Sequence, residues 1–189
     1  MGALLDGLPL AIEIDGKEYQ INSDFRTGLR IILAFEDTEL TLSEKAFILV
    51  EQLYKKVPED FVKAVSAGIR FLDCGEERGE GGGNGSRMYS FSQDERYIFS
   101  GVDKVLNGRL SRGEFVHWWE FVFAFMELPE NCMMSKILYY RSRRNAGKLT
   151  KEEREVWAKN RELFELEEMQ TAEEKEKEDL FMRRLGRKS

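Results

Sequence analysis

Apolar and polar residues alternate near the start of the chain, on both sides of an Asp-Gly pair. Ile12 and Ile14 precede Asp15-Gly16, and two further apolar residues alternate after it. Asp-Gly suits a type I′ turn, because both central residues need a positive φ that Gly adopts freely and Asp tolerates. The pattern predicts strands over 10–14 and 17–21. A lone hairpin is only marginally stable in water, so we expect it to dock on helices or on another copy.

From residue 24 onward, apolar positions recur at helical spacing. Ser or Thr followed three residues later by Glu marks a helix start. The side chain of each residue accepts a hydrogen bond from the backbone N–H of the other, which would otherwise be unpaired. Such pairs occur at Thr41–Glu44, Ser92–Glu95, Ser111–Glu114 and Thr150–Glu153. The predicted helices span 24–36, 42–56, 58–73, 92–106, 112–128, 131–145 and 151–169, with a further helix near 172–185.

These elements predict a mainly α fold, a helical bundle with an N-terminal β-hairpin and a charged C-terminal helical tail. We place a helical domain over 1–150 and the tail over 151–189. Within the domain, six of the thirteen residues from 75 to 87 are glycine. Such a segment buries too little surface to offset its ordering entropy. We interpret it as a flexible loop, which is either a tolerated surface insertion or a segment that orders on a partner.

The predicted helix 112–128 is apolar on nearly every side. At 100° per residue, its polar positions His117, Glu120 and Glu127 fall on one narrow stripe together with Ala124. A helix this apolar is expected at the centre of a bundle. The alternative is that part of its aromatic surface is an interface, since aromatic side chains are common binding hot spots.

Composition excludes several classes of protein. The 189 residues carry a formal net charge of −6, which gives no general attraction for nucleic acid or anionic membranes. The chain opens without the basic and apolar segments of a signal peptide, and no uncharged run approaches the ~20 apolar residues that span a bilayer. The two cysteines show neither metal-ligand spacing nor a disulfide framework. We expect a reduced protein of the cytosol.

Candidate chemistry is sparse. His117 is the sole histidine, and a zinc site needs three or four ligands. We therefore interpret His117 as a half-exposed residue that shares the polar stripe with Glu120. Neither a nucleophile elbow nor a phosphate-binding loop occurs in the sequence. We expect no catalytic residues, no metal, no cofactor and no enzyme activity.

A basic run at Arg141, Arg143 and Arg144 closes the helix that contains Tyr139 and Tyr140. Cations beside aromatic residues suit a nucleic-acid surface. They also stabilise a helix C-terminus, which is the simpler interpretation. Given the acidic total, nucleic-acid binding is disfavoured, and the three arginines are candidates for contact with an acidic partner surface.

The tail ends in a short segment that is both apolar and basic. Between residues 170 and 179 only Ala172 is apolar, and then Leu180, Phe181 and Leu185 appear beside arginine and lysine. This pattern predicts a segment that binds a client or a neighbouring copy. A solvated charged terminus is the alternative.

Five blocks of the sequence resemble one known family. They are Ile12–Arg26, Cys74-Gly75 before the glycine-rich segment, Tyr89–Asp94 (YSFSQD), His117–Trp119 (HWW) and Ser135–Ser142 (SKILYYRS). Their order and spacing over about residues 8–160 resemble the gene-product-fifteen family of siphophages and prophages of Gram-positive bacteria.

The resemblance implies a tail assembly chaperone in the bacterial host cytoplasm. Such a helper would keep the tape measure protein soluble and help recruit tail tube subunits, with self-association as a further expectation. It implies no catalytic residues. The alternative from another class is a structural protein of the virion, at the tail or its connector.

Overall fold

The computed structural model describes residues 7–76 and 87–167. Within them a two-stranded hairpin precedes eight helices, so the predicted mainly helical fold with an N-terminal hairpin is confirmed. The elements are β1 (Ala11–Ile14), β2 (Lys17–Gln20), α1 (Phe25–Glu36), α2 (Leu42–Leu53), α3 (Phe61–Leu72), α4 (Glu95–Val105), α5 (Trp118–Met126), α6 (Met133–Asn145), α7 (Lys151–Lys159) and α8 (Arg161–Phe164).

The hairpin forms in the predicted register. Asp15 and Gly16 adopt φ values of 52° and 75°, and Ile14 pairs with Lys17 across the turn. One face carries Ile14 and Tyr19, both of which are buried against the helices. The expected docking of the hairpin on the helical domain is therefore present.

Two helix starts follow the predicted capping boxes, and two do not. Thr41 and Thr150 each exchange hydrogen bonds with the Glu three residues on. The predictions at Ser92 and Ser111 were wrong. Ser92 donates its hydroxyl to Glu36 instead. The backbone N–H of Ser111 donates to the Asp103 carboxylate inside a tight turn, so no helix begins there.

Helices α3, α4 and α5 start three to six residues later than predicted. Helix α5 begins at Trp118, because His117 Nδ1 accepts a hydrogen bond from the Trp119 N–H and caps it. Helix α3 begins at Phe61, because the Asp60 side chain caps it by accepting from the Lys63 N–H, so that Pro58 precedes the helix.

Helix α5 lies at the centre of the main core, between α1 and α4. Trp118 and Phe121 are buried there and stack on each other with ring centroids 5.8 Å apart. A Cβ at Gly28 of α1 would lie 2.2 Å from Trp118 Cε3, so only glycine allows this approach. The prediction of a central core helix holds for the first half of α5.

A smaller apolar cluster joins α6 to the chain that follows it. Ile137 and Leu149 pack with Trp157 of α7 and Phe164 of α8. The helix predicted over 151–169 is interrupted at Asn160, whose φ of −125° and ψ of 36° are not helical. The boundary between domain and tail at residue 150 stays a prediction. The predicted helix near 172–185, and most of the glycine-rich loop, lie outside the described residues.

Candidate interaction site

An open groove of about 630 Å³ lies beside α5 and is lined mostly by aromatic and apolar side chains. Trp118 and Phe121 contribute from the start of α5, and Phe125 and Met126 from its end. The segment Met88–Phe91, which precedes α4, forms another wall through Met88, Tyr89 and Phe91. We call this feature the aromatic groove. Its volume lies within the range of about 300–1,000 Å³ that is typical of ligand sites.

The walls of the aromatic groove are built from interlocked rings. Tyr89 packs edge-on against Phe125, with ring centroids 5.0 Å apart, and against Phe91 at 5.4 Å. At the rim Met126 is 71% exposed and Phe123 is 40% exposed. Rigid rings beside an exposed methionine provide a pre-formed apolar surface with one adaptable side chain.

A carboxylate from α1 fixes the Met88–Phe91 wall. Glu36 Oε1 accepts a hydrogen bond of 2.9 Å from the Phe91 N–H, and its Oε2 accepts one of 2.7 Å from the Ser90 hydroxyl. These bonds explain why the rings of Tyr89 and Phe91 are held in place although their segment is not helical. Nothing in the sequence pattern pointed to Glu36.

A buried ion pair anchors the same wall from behind. Arg141 Nη1 lies 2.6 Å from Asp94 Oδ2, and Arg141 Nη2 lies 3.0 Å from Asp94 Oδ1. The same guanidinium donates to the carbonyl oxygens of Met88 and Phe164, and Asp94 accepts from the Ser90 N–H. One pair therefore joins α4, α6, α8 and the groove wall.

The charges that line the aromatic groove are mainly acidic. Among the described residues, the lining contains three carboxylates (Glu36, Asp73 and Glu76) and one guanidinium, that of Arg87. Cys74 lies beside two of these carboxylates, and burial, aided by Glu76 and Asp73, raises the pKa of its thiol to about 12. The thiol is therefore protonated at neutral pH and is not poised as a nucleophile.

The structure separates the arginines that the sequence grouped as partner contacts. Arg141 is only 2% exposed and is used inside the domain, so it offers no surface to a partner. Arg143 Nε donates to Glu153 at 2.9 Å. The Arg144 guanidinium lies 4.7 Å from the centre of the Trp157 ring. The other candidates (Leu180, Phe181 and Leu185) lie outside the described residues.

His117 is buried, which corrects the prediction of a half-exposed histidine on a polar stripe. Its Nε2 lies 2.9 Å from the Pro9 carbonyl oxygen, and its Nδ1 accepts from the Trp119 N–H. This pattern requires the neutral ring with the proton on Nε2. Burial lowers the pKa of His117, against smaller opposing effects from Pro9 and Glu120. Glu120 itself pairs with Arg109.

Two kinds of feature are missing from the part of the chain that the structure describes. No three His, Cys, Asp or Glu side chains there are arranged to hold a metal ion. No helix among residues 7–76 and 87–167 is long and apolar enough to cross a membrane.

Comparison with known proteins adds one match. The sequence model of a family described as bacteriophage Gp15 protein matches residues 4–166. No curated protein and no solved structure matches the chain.

Replacing Asp94 with Asn tests the buried ion pair. We expect the Asp94→Asn variant to lose about 3–5 kcal/mol of unfolding free energy, because it leaves the Arg141 charge buried without its counterion. Urea denaturation measures the loss. The matched control is Arg161→Gln, which breaks an exposed pair with Glu165 and should leave the midpoint unchanged. Equal midpoints for Asp94→Asn and the wild type would contradict the role given to the pair.

The lowered pKa of His117 predicts a pH dependence of stability. The His117 ring binds a proton more readily in the unfolded chain than in the folded one. The stability that the neutral ring contributes is therefore complete above its unfolded pKa of 6.5. This stability is lost as the pH falls through the pKa of His117 in the folded protein. The free energy of unfolding then falls by at most about 1.4 kcal/mol per pH unit.

Urea midpoints between pH 5.5 and 7.5 measure this dependence. Asn caps helices well and does not titrate, so His117→Asn should flatten the profile in this range. A profile with the same slope in the variant as in the wild type would exclude His117 as its source.

Proposed function

We propose, from the premise that the chain belongs to the bacteriophage Gp15 protein family, that it is a tail assembly chaperone. In this proposal it acts in the cytoplasm of the bacterial host and binds the tape measure protein. It thereby keeps that client soluble and aids assembly of the tail tube by recruiting tube subunits. It acts by binding and carries out no chemical step.

The aromatic groove is the observation that carries the proposal. A long client with exposed apolar seams aggregates unless a helper covers those seams. An apolar groove that presents rings and methionine suits the apolar face of an amphipathic helix. Phe123 and Met126 reach the solvent at the rim of such a groove in this chain.

The charges of the groove define the client further. Because carboxylates outnumber guanidinium groups around it, a helix with Lys or Arg beside its apolar face is preferred over an acidic one. Exposed charges of this kind set orientation and association rate more than affinity. The anchoring of the wall by Glu36 and Arg141 means that little ordering is needed on binding, which favours affinity.

Co-expression with the tape measure protein tests the proposal. We expect a soluble complex on size-exclusion chromatography with light scattering, with several copies of this chain per client. Insoluble client beside free chaperone, or this chain present at fixed copy number in purified particles, would favour a structural protein of the virion instead.

Paired variants then locate the client site. The double variant Phe123→Gln/Met126→Gln removes exposed apolar contacts from the groove, and we expect client affinity to fall about 30-fold or more, as for a hot spot. Val62→Gln is the matched control, since Val62 is 76% exposed and lies on α3. Equal loss in both variants, or in neither, would show that the groove is not the binding site.

A further inference from the structure

We infer that the aromatic groove is occupied by the C-terminal segment of the same molecule, residues 180–188, which a client must displace. We call these residues the terminal segment. That a client competes for the groove rests on the proposed function. The docking of the terminal segment does not depend on that function.

The described chain ends at Glu167, in contact with one residue of the groove lining. Arg87, which lines the groove, donates from Nη2 to the carbonyl oxygen of Glu167 at 2.9 Å. The Glu167 N–H donates to Gln93 Oε1 at 3.1 Å, which holds Glu167 beside the segment that precedes α4. The residues that follow therefore start beside the site that they are inferred to fill.

The tether is long enough and polar enough for this docking. Phe181 follows Glu167 by 14 residues, and a chain of that length reaches at most about 46 Å. Within residues 168–179 only Met169 and Ala172 are apolar, so the tether has little apolar surface of its own to bury. A short tether gives a local concentration on the order of millimolar, at which even weak docking is populated.

The terminal segment complements the groove in both polarity and charge. Its apolar side chains (Leu180, Phe181, Met182 and Leu185) match the aromatic and methionine lining. Its cations (Arg183, Arg184, Arg187 and Lys188) match the excess of groove carboxylates. The aromatic groove thus combines an acidic lining with a position next to the last described residue of the chain.

Methionine methyl NMR on the full chain tests the docking directly. Met88 and Met126 line the groove, whereas Met134 is fully buried in the main core. The variant Phe181→Glu/Leu185→Glu should shift the methyl signals of Met88 and Met126 and leave that of Met134 in place. The control Gln170→Glu/Ala172→Glu adds the same charge to the tether and should shift none of the three.

The outcomes separate docking within one molecule from its alternatives. Shifts that persist on dilution support the inference. Unmoved groove signals overturn it, and signals that change on dilution overturn it in favour of the terminal segment of a second copy.

Titration of the chain with the tape measure protein measures the consequence of this docking for client affinity. If the terminal segment fills the groove in nine molecules of ten, the Phe181→Glu/Leu185→Glu variant binds the tape measure protein about tenfold more tightly. Unchanged affinity despite shifted methyl signals would show docking that does not regulate the client. If the client binds neither the wild type nor the variant, the proposed function is wrong, and the result on docking is unaffected.

Discussion

The ion pair between Asp94 and Arg141 is the contact on which the arrangement of the second half of the chain depends. Both side chains are almost fully buried, and ionic groups there pay a large desolvation cost. The cost is offset because each remaining donor and acceptor is used: Arg141 also holds the Met88 and Phe164 carbonyl oxygens, and Asp94 also accepts from Ser90. A shifted helix would leave these groups unpaired, so the pair selects one packing of α4, α6 and α8.

The aromatic groove depends on polar anchors more than on its own rings. Tyr89 and Phe91 belong to a segment without helix or strand, which would be free to collapse onto the exposed apolar surface. Glu36 holds that segment from α1, and the Asp94–Arg141 pair holds it from α6. The position of this apolar wall is thus set by hydrogen bonds. This arrangement agrees with the proposed function, in which a client must also leave.

Local signals in the sequence predicted the parts of the fold that depend on neighbours in the chain. The hairpin follows from Asp15-Gly16, and two helix starts follow from Thr41 and Thr150, because each of these features is settled within a few residues. The same local rule failed at Ser92 and Ser111, where Glu36 and Asp103 offered competing partners. The sequence predicts a partner contact for Arg141, and this prediction fails for a related reason, since the ion-pair partner of Arg141 lies 47 residues away. The groove could not be predicted at all, because its walls come from α1, the end of α3, α5 and the segment before α4.

Hydrogen exchange on the full chain, alone and in complex with the tape measure protein, tests the central claim most directly. In the Phe181→Glu/Leu185→Glu variant, whose groove the terminal segment does not fill, we predict slower amide exchange in the complex over 88–92 and 121–126, with little change over 11–20 in the hairpin. Protection confined to the hairpin, with the groove segments unchanged, would contradict it.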